Sequence, residues 1–400
     1  MAQRLVIVGN GMAAQRLLEQ LLQRGAEDYR IDVLSDEPHA GYNRILLSPW
    51  VAGDTDTRQL ISHPLDWYQR HHINLHRRQR IEVLDRHRQQ LISADGSVFP
   101  YDTLVLATGS RARQLAIPGH QLDGVITLRT LDDARQIEQR ARRHAHAVVI
   151  GGGLLGLETA WGLHCRGMQV TVLHNGDWLM QRQLDCDAGH YLADAFRQRG
   201  IEIITGARSE AFLGDKHGIH FVALADGRQL PCSLAVVSIG IEPNKALAAQ
   251  AGLDCDRGVQ VDRWLCSSDA AIRALGECCQ IGDETFGLVE PIYRQAEILS
   301  RQLTGQSGPG YQPMAQPTRL KVSGMQVFSA GNPASFDDTR RLTWRDPQRG
   351  HYGSLYLRGD QLQAAVLLGD CSAGARCFAH IKNGTALNEP AQLLVGGAVA

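Results

Sequence analysis

The sequence predicts an α/β fold with two Rossmann-like domains and a smaller α+β domain at the C-terminus. A glycine-rich strand, turn and helix pattern occurs twice, at Leu5–Ala14 (LVIVGNGMAA) and Val148–Glu158 (VVIGGGLLGLE). Each copy is followed by a later strand that ends in glycine, at Gly109 and Gly240, and short alternating strands follow residue 309. Two such cradles with two return strands predict two dinucleotide-binding domains.

The composition sets limits on the possible partners. The 400-residue chain is 44% hydrophobic and has a formal charge of −1, which gives no reason to expect nucleic acid or an anionic membrane as a partner. No apolar run approaches the roughly 18 residues of a membrane span. The first strand begins almost at the N-terminus, which argues against a signal peptide. We therefore expect a cytoplasmic protein.

The nine cysteines include no C-x-x-C pair and no cysteine–histidine cluster at zinc or iron–sulfur spacing. We therefore expect no bound metal. Cys278 and Cys279 are adjacent, and a redox-active pair is conceivable. Adjacent cysteines bond only through a strained ring, so we expect buried thiols instead.

The first cradle predicts a strand at Arg4–Val8, a helix at Met12–Arg24 and a second strand at Ile31–Leu34. Its glycines allow a tight turn, and a pyrophosphate would meet the N-terminus of the helix. The cradle residues are Gly9, Gly11, Met12, Ala13 and Ala14. Asp36 follows the second strand, where an acid commonly accepts hydrogen bonds from an adenosine ribose.

The loop Gly41–Trp50 (GYNRILLSPW) offers Arg44 to the pyrophosphate and Ser48 as a small polar contact. The alternative for Arg44 is an ordinary solvated arginine. Further along, the alternating runs Ile81–Leu84 and Gln90–Ser93 predict a β-ribbon. The next strand ends in the candidate site residues Ala107, Thr108 and Gly109.

The second cradle begins after a turn at Pro118 and Gly119 and a helix predicted at Asp132–Arg143. Its candidate nucleotide-binding residues are Gly151, Gly153, Leu154, Leu155, Gly156 and Gly240. The strand Val170–Leu173 ends in His174, where an NAD site commonly supplies an acid. A 2′-phosphate would favour an arginine, and the nearest one downstream is Arg182, so we expect NADH rather than NADPH.

Glu158 lies two residues past the third glycine, near the edge of the nucleotide cleft. A carboxylate there can orient a nicotinamide amide or help to move a proton, which makes Glu158 the candidate catalytic residue. The alternative is an acid that is favourable at a helix N-terminus. Gly276 and Glu277 follow a later strand, and Gly287–Leu299 predicts a helix.

These patterns predict three domains. Residues 1–112 and 245–308 form the first dinucleotide-binding domain, residues 113–244 form the second, and residues 309–400 form a C-terminal α+β domain.

The chain resembles the two-dinucleotide flavoprotein reductases of the glutathione-reductase fold. The resemblance rests on the stretches LVIVGNGMAA, SDEPHAGYNRILLSPW, YDTLVLATGS, VVIGGGLLGLE, SIGIEPN and RALGEC. It is closest to the subfamily of rubredoxin and ferredoxin reductases and the flavin module of NADH-dependent nitrite reductase large subunits. The stretches similar to the nitrite reductase branch are YNRILLSP, VTVLHNGDWLMQRQLD, FGLVEPIYRQAEIL and PTRLKVSGMQVFSAG.

The resemblance implies FAD in an extended form, with NADH as its reductant. It places the ADP half of FAD at Gly9, Gly11, Ala14 and Asp36, and the pyrophosphate side at Arg44. It also implies that Ile81 meets adenine through its backbone and that Glu277 replaces the usual aspartate at the ribityl chain. Gly151, Gly153, Gly156 and Glu158 would hold NADH. Pro49 departs from the family pattern, because many relatives carry a lysine there that could pair with Glu158.

The expected function is an NADH:acceptor oxidoreductase that passes single electrons to a separate redox protein. The expected acceptor is the catalytic subunit of an assimilatory nitrate or nitrite reductase. The sequence shows no iron–sulfur or sirohaem module, so we expect no reduction of nitrite by the chain alone. Arg340, Arg341 and Arg345 are candidates for steering the acceptor, with an ordinary solvated turn as the alternative.

Four alternatives compete with this expectation. A rubredoxin, flavorubredoxin or ferredoxin reductase would differ only in the acceptor. A disulfide reductase would need a cysteine facing the flavin, and neither the loop near Asn43 nor the first helix has one. A membrane quinone reductase would need a basic amphipathic C-terminal helix, whereas Leu393–Ala400 is small, apolar and uncharged. A flavoprotein that senses nucleotides without turnover is an alternative of a different class.

Overall fold

The computed structural model describes residues 2–26, 28–142, 146–313, 316–322, 325–331 and 339–395. The chain divides into two compact units. The first unit comprises Met1–Leu47, Thr55–Ala112 and Gly240–Pro313, and the second comprises Ser48–Asp54, Arg113–Ile239 and Met314–Ala400. Both units are assembled from segments that are distant in sequence. The finer division into three domains stays a prediction.

The strands in chain order are β1 (Gln3–Val8), β2 (Tyr29–Ser35), β3 (Gly41–Tyr42), β4 (Ile61–His63), β5 (Asn74–Arg77), β6 (Ile81–Asp85), β7 (Gln90–Ser93), β8 (Val98–Pro100), β9 (Thr103–Leu106), β10 (Ser110–Ala112), β11 (Val125–Thr127), β12 (His146–Ile150), β13 (Gln169–Leu173), β14 (Glu202–Ile204), β15 (Ser209–Asp215), β16 (Gly218–Leu224), β17 (Gln229–Pro231), β18 (Leu234–Val237), β19 (Ile241–Pro243), β20 (Val259–Val261), β21 (Ile272–Ala274), β22 (Cys279–Ile281), β23 (Glu284–Thr285), β24 (Thr318–Val322), β25 (Met325–Ala330), β26 (Arg340–Asp346), β27 (His351–Arg358) and β28 (Gln361–Leu368).

The helices are α1 (Met12–Gln23), α2 (Leu47–Ala52), α3 (Thr57–Leu60), α4 (Leu65–Arg70), α5 (Leu131–Ala141), α6 (Leu154–Cys165), α7 (Cys186–Gln198), α8 (Ala246–Gln250), α9 (Val289–Leu303), α10 (Gly374–Asn383) and α11 (Gln392–Val395). Short 3-10 turns occupy Arg44–Leu46 and Gly276–Cys278. None of the helices described is long and apolar enough to cross a membrane.

A five-stranded parallel sheet forms the core of the first unit, with strand order β21-β9-β1-β2-β5. Residues Leu5–Val8 of β1 and Leu104–Leu106 of β9 are continuously apolar and buried, as parallel strands covered on both faces require. Helix α1 buries Ala14, Leu17, Leu18 and Leu21 in the same core, which is the spacing of one helical face. The carboxyl ends of parallel strands meet at one edge of the sheet, and nucleotides bind at such edges.

The second unit repeats this arrangement. Its parallel sheet has the order β11-β18-β12-β13-β14. Each unit also carries a three-stranded antiparallel sheet just before the return strand, β6-β7-β8 before β9 and β15-β16-β17 before β18. The internal duplication predicted from the two glycine patterns is therefore confirmed.

The C-terminal part of the second unit is an antiparallel sheet with the order β24-β25-β28-β27-β26. Helix α10 packs against β25 and β28. A separate apolar cluster that includes Phe328, Leu355, Leu367 and Cys377 fills this region. These observations confirm the predicted α/β fold with a C-terminal α+β part.

Most predicted elements lie within a few residues of the observed ones. The helix predicted at Asp132–Arg143 begins at Leu131, because Thr130 forms a capping box with Asp133. Arg143 lies outside the described residues. The predicted β-ribbon is the antiparallel pair β6 and β7. The predicted helix Gly287–Leu299 is α9, which starts two residues later and ends at Leu303.

Candidate nucleotide-binding sites

The first residue of the turn after β1 must be glycine. Gly9 has φ +110°, and a Cβ there would lie 2.2 Å from the carbonyl oxygen of Ala107. Its N–H donates to the Leu34 carbonyl at 2.8 Å. The turn is therefore held between the carboxyl ends of β9 and β2, and the structure brings the predicted residues Gly9 and Ala107 together.

Gly11 opens the N-terminus of α1 to a ligand. It is the N-cap residue, and no side chain caps the first turn formed by Met12, Ala13 and Ala14. A Cβ at Gly11 would meet no atom closer than the Arg44 Nε, at 4.0 Å. Uncapped N–H groups at a helix N-terminus, with space in front of them, are the geometry that binds phosphate.

Arg44 stands beside this opening, but its charge is already engaged. It forms an ion pair with Glu37 and lies over the Tyr42 ring, with 5.0 Å between the guanidinium and the ring centroid. The Tyr42 hydroxyl donates to Glu37 Oε2 at 2.7 Å. Burial alone would lower the pKa of Arg44, yet Tyr42 and Glu37 outweigh it and raise that pKa.

Glu37 was missed by the sequence analysis, which selected its neighbour Asp36. Asp36 follows β2 directly and is exposed, whereas Glu37 is half-buried. The signal was available, since two acids stand in tandem after the strand and an arginine follows seven residues later. The assignment of Asp36 to the ribose stays a prediction.

The carboxyl ends of β9 and β21 and the start of β10 supply the rest of the first site. Thr108 exchanges two hydrogen bonds with Asn244, each 2.8 Å long. Ser110 Oγ donates to Glu277 Oε2 at 2.8 Å. A Cβ on Gly276 would lie 3.0 Å from the Ala13 Cβ, so the turn carrying Glu277 reaches the start of α1.

Other predicted residues of this site lie at its margins. Ile81 is the first residue of β6 and is half-buried. Gly109 has positive φ, at 64°, next to the paired strands β10 and β19. Gly240 was predicted for the second cradle, but it has φ +105° and belongs to the first unit. Ser48 does not belong to the first unit.

The second cradle repeats the close approach of the first. Gly151 has φ +125°, and a Cβ there would lie 2.2 Å from the Ser238 carbonyl oxygen. A Cβ at Gly156 would lie 1.9 Å from the Gly151 carbonyl, so α6 packs tightly against its own turn. A Cβ at Gly153 would meet nothing within 4 Å, and no side chain caps the first turn, Leu154 and Leu155.

His174 folds back onto this turn. Its Nδ1 accepts a hydrogen bond from the Gly152 N–H at 3.3 Å, and Nε2 is buried without a partner among the described residues. Burial lowers the pKa of the imidazole. The Met180 N–H donates to the Gly152 carbonyl at 2.9 Å. Gly152 was not selected from the sequence, although it lies inside the glycine pattern.

Glu158 has a partner that the sequence did not predict. The Ser48 hydroxyl donates a 2.7 Å hydrogen bond to Glu158 Oε2, and both residues belong to the second unit. Burial raises the pKa of the Glu158 carboxyl, and the hydrogen bond from Ser48 partly opposes that effect. The carboxyl group is therefore easier to protonate than an ordinary glutamate.

The candidate steering arginines lie on strand β26 and not on a solvated turn. Arg341 contacts Asp185 at 3.2 Å and Asp187 at 2.9 Å, and Arg345 pairs with Asp187 at 2.9 Å. Arg341 is thus part of an internal network. Arg340 is exposed.

The adjacent cysteines agree with the expectation of buried thiols. Cys278 and Cys279 are both free and buried. Burial raises the pKa of each thiol. Within the part of the chain that the structure describes, no cluster of His, Cys, Asp and Glu could hold a metal ion.

The geometry agrees with comparisons to known proteins. The sequence profile described as pyridine nucleotide-disulphide oxidoreductase matches residues 3–298. The chain belongs to this family. A second profile, the rubredoxin NAD+ reductase C-terminal domain, matches residues 317–385. Membership confirms the predicted class, an FAD-dependent NAD(P)H oxidoreductase, and with it the predicted cofactors FAD and a nicotinamide coenzyme.

Three relatives cover nearly all of this chain. The chain is 36% identical over 392 residues to a nitrite reductase [NAD(P)H] of Bacillus subtilis (strain 168), covering 98% of this chain and 49% of that protein. It is 36% identical to the assimilatory nitrate reductase electron transfer subunit of the same organism, covering 92% and 48%. It is 32% identical to the ferredoxin reductase component of chlorobenzene dioxygenase from Cupriavidus sp. (strain PS12), covering 98% and 95%. The chain thus spans about half the length of the first two relatives.

Solved structures show the same fold. The chain in a covalent putidaredoxin reductase–putidaredoxin complex superposes with a TM-score of 0.88 at 25% identity, covering 100% of this chain and 99% of that one. A ferredoxin reductase for the CYP199A2 system from Rhodopseudomonas palustris has a TM-score of 0.83 at 29% identity, covering 92% of each chain.

The residues of the first cradle fit FAD. Gly9 permits the close backbone approach, and Gly11 leaves space in front of an uncapped helix N-terminus. Two amide groups near this turn, Asn10 Nδ2 and Gln295 Nε2, are buried with no hydrogen-bond partner among the described residues. Since buried polar groups are nearly always paired, these amides mark a place where the protein alone does not complete the hydrogen bonding.

Proposed function

We propose that this chain is an electron-transfer flavoprotein that oxidises NADH and passes single electrons to a separate redox protein of nitrate or nitrite assimilation. In this proposal residues 1–112 and 245–308 bind FAD, residues 113–244 bind NADH, and residues 309–400 form the interface domain. The observation that carries it is the pair of cradles. In each cradle one glycine lies against a backbone oxygen, and a second glycine has free space in front of a helix N-terminus.

The residues of the chain have distinct tasks in this proposal. Gly11 and the first turn of α1 bind the FAD pyrophosphate, and Arg44 balances its charge from the side while Glu37 holds the guanidinium in place. Gly153 and the first turn of α6 bind the NADH pyrophosphate in the same way. When bound, FAD would allow a two-electron donor to reduce a one-electron acceptor. Glu158 orients the nicotinamide amide or holds a proton at its carboxyl group.

The proposed acceptor follows from the two relatives at 36% identity, a nitrite reductase and an assimilatory nitrate reductase electron transfer subunit. A second candidate has its own support. The dioxygenase ferredoxin reductase is matched over 95% of its length, and the C-terminal profile is that of rubredoxin NAD+ reductase. A rubredoxin or ferredoxin is therefore the alternative acceptor. For either acceptor we propose a cytoplasmic location without nucleic acid or membrane as a partner.

The test uses the purified chain with FAD, NADH and defined acceptors. Alone it should reduce ferricyanide with NADH but leave nitrate and nitrite unchanged. Adding the catalytic subunit of a nitrate or nitrite reductase from the same organism should produce NADH-dependent turnover of that anion. Faster coupling to a rubredoxin or ferredoxin would move the assignment to the second candidate. Reduction of nitrite by the chain alone would contradict the proposal of a separate acceptor.

The same protein preparation tests the alternative that the chain senses nucleotides without turnover. NADH should bleach the flavin absorbance in a stopped-flow measurement, because the second cradle would deliver the reductant. A flavin that binds but is not bleached by NADH would assign the chain to nucleotide sensing.

A further inference from the structure

One face of α6 is built to receive the short segment Ser48–Ala52. Glu158, Gly162 and Arg166 follow each other at intervals of four residues, so they lie on the same side of the helix. Gly162 leaves room for the segment, because a Cβ there would lie 3.1 Å from the Ala52 nitrogen. This distance is shorter than an ordinary van der Waals contact, so a larger residue at position 162 would require the segment to shift.

Arg166 anchors the far end of the segment. Its Nε donates to the Val51 carbonyl at 2.8 Å and its Nη2 to the Trp50 carbonyl at 3.2 Å. Glu138, 3.4 Å away, balances the charge of Arg166. The C-terminal carbonyls of α2 are therefore tied to α6, which limits where Ser48 can lie.

Ser48 is placed on Glu158 at the opposite end. It is only 4% exposed, and its hydroxyl donates to Oε2 at 2.7 Å. The second carboxyl oxygen, Oε1, accepts no hydrogen bond from any residue that the structure describes. One oxygen is thus fixed by the protein, and the other is left for a ligand or a proton.

We propose that Ser48 is the positioning residue of Glu158, holding one carboxyl oxygen with a neutral hydroxyl so that the other faces the nicotinamide end of the coenzyme. This inference rests on the proposed function, since it needs a nicotinamide coenzyme in the second cradle. It reassigns Ser48, which the sequence predicted as an FAD contact.

The neutral partner has a consequence for proton binding. None of the described Lys or Arg side chains forms an ion pair with Glu158, and Pro49 follows Ser48. The titratable groups along the same interface include Arg166, its partner Glu138, and Cys165 near Asp54. Helix α6 also packs against β24, which carries Arg319. Burial raises the pKa of Glu158, and the Ser48 hydroxyl counteracts part of that rise by stabilising the charged form.

The experiment measures NAD+ binding to the FAD-loaded chain by calorimetry across a pH series, in two buffers of different ionisation enthalpy. The nicotinamide ring of NAD+ is positively charged, so NAD+ should bind more tightly when Glu158 is ionised. Below the pH midpoint at which Glu158 ionises in the absence of NAD+, binding should therefore release a proton. Ser48→Ala should move this midpoint to higher pH and weaken NAD+ binding roughly two- to tenfold within the window, the effect of one lost hydrogen bond. Ser48→Thr keeps the hydroxyl and should restore the wild-type midpoint.

Glu158→Gln is the matched control, since its amide cannot titrate and should release no proton. The melting temperature of each variant, measured in the absence of NAD+, separates a loss of folding stability from a loss of coenzyme binding. If Ser48→Ala binds NAD+ with the wild-type pH profile, or if Glu158→Gln still releases the proton, the inference is overturned. If the wild-type protein loaded with FAD binds no NAD+ at all, the proposed function fails instead.

Discussion

The imidazole of His174 accepts a hydrogen bond through Nδ1 from the backbone N–H of Gly152, across 3.3 Å. A ring nitrogen that accepts cannot carry the proton, so the proton is assigned to Nε2 and the ring is neutral. Burial lowers the pKa of the imidazole and so favours the same state. The end of β13 therefore carries a neutral imidazole where an NAD site commonly has an acid.

A neutral histidine at this position predicts a preference for NADH over NADPH, because it supplies no positive charge to a 2′-phosphate. His174→Glu should increase the NADH:NADPH ratio of kcat/KM by roughly tenfold, since a carboxylate accepts from the 2′-hydroxyl and repels a phosphate. Steady-state kinetics with both coenzymes measures the ratio. If wild type prefers NADPH, and Arg182→Ala removes that preference, the exposed Arg182 determines coenzyme choice instead.

The stability of the protein should fall more steeply in mild acid because of His174. Its pKa is lowered from 6.5, so below pH 6.5 the unfolded chain binds more protons than the folded one. The stabilisation is therefore complete above pH 6.5 and is lost as the pH falls through the folded-state pKa. His174→Asn, whose Oδ1 can still accept from Gly152, should flatten this slope in urea unfolding curves. The exposed His87→Asn is the control and should leave the slope unchanged.

Replacing the two glycines of the first cradle should separate folding from cofactor binding. Gly9→Ala places a Cβ 2.2 Å from a carbonyl oxygen at a positive φ, so it should destabilise the protein by about 2–4 kcal/mol. Gly11→Ala has 4.0 Å of space and should change the unfolding free energy by less than about 1 kcal/mol.

Gly11→Leu should fold as well as Gly11→Ala but lose FAD, because its side chain occupies the approach of the pyrophosphate. Urea unfolding gives the stability, and the visible flavin absorbance after gel filtration gives the FAD content. Full FAD retention by a folded Gly11→Leu protein would place the pyrophosphate elsewhere.

Asp185 joins α7 to the C-terminal sheet, and its loss should loosen that contact. The hydroxyls of Tyr352 and Tyr356 donate to its two oxygens at 2.9 and 2.6 Å, and its side chain is only 10% exposed. Tyr356→Phe should cost about 1–3 kcal/mol, because it leaves a buried carboxylate oxygen without this donor.

Arg340→Ala is the matched control on the same sheet, since an exposed side chain should cost less than about 0.5 kcal/mol. Thermal unfolding of both variants gives the difference. Equal melting temperatures for Tyr356→Phe and wild type would mean that the Asp185 network adds nothing to stability.

Local sequence was sufficient to predict the two cradles. Gly9 and Gly151 must be glycine because each needs a positive φ and contacts a backbone oxygen of a neighbouring strand. The alternating run at Ile81–Leu84 likewise predicted the ribbon that β6 and β7 form. These features depend on a few consecutive residues, and a single sequence displays them.

The partners of the site residues could not be predicted in the same way. Arg44 and Glu37 are only seven residues apart, so their pairing was within reach of sequence analysis. Arg341 and Asp185 are 156 residues apart, and their contact turns a candidate surface arginine into part of an internal network. No local pattern marks such a pair.

The sequence by itself determined the fold class, the two glycine-rich turns and the family, because backbone conformation and strand or helix periodicity are encoded over short stretches of chain. Only the tertiary structure decided that Ser48 holds Glu158 and that His174 lies against Gly152. Ser48 and Glu158 are separated by 110 residues and meet because Gly162 and Arg166 seat one short segment on α6. A side-chain hydrogen bond requires its two groups to lie about 3 Å apart, and only the folded chain sets that distance.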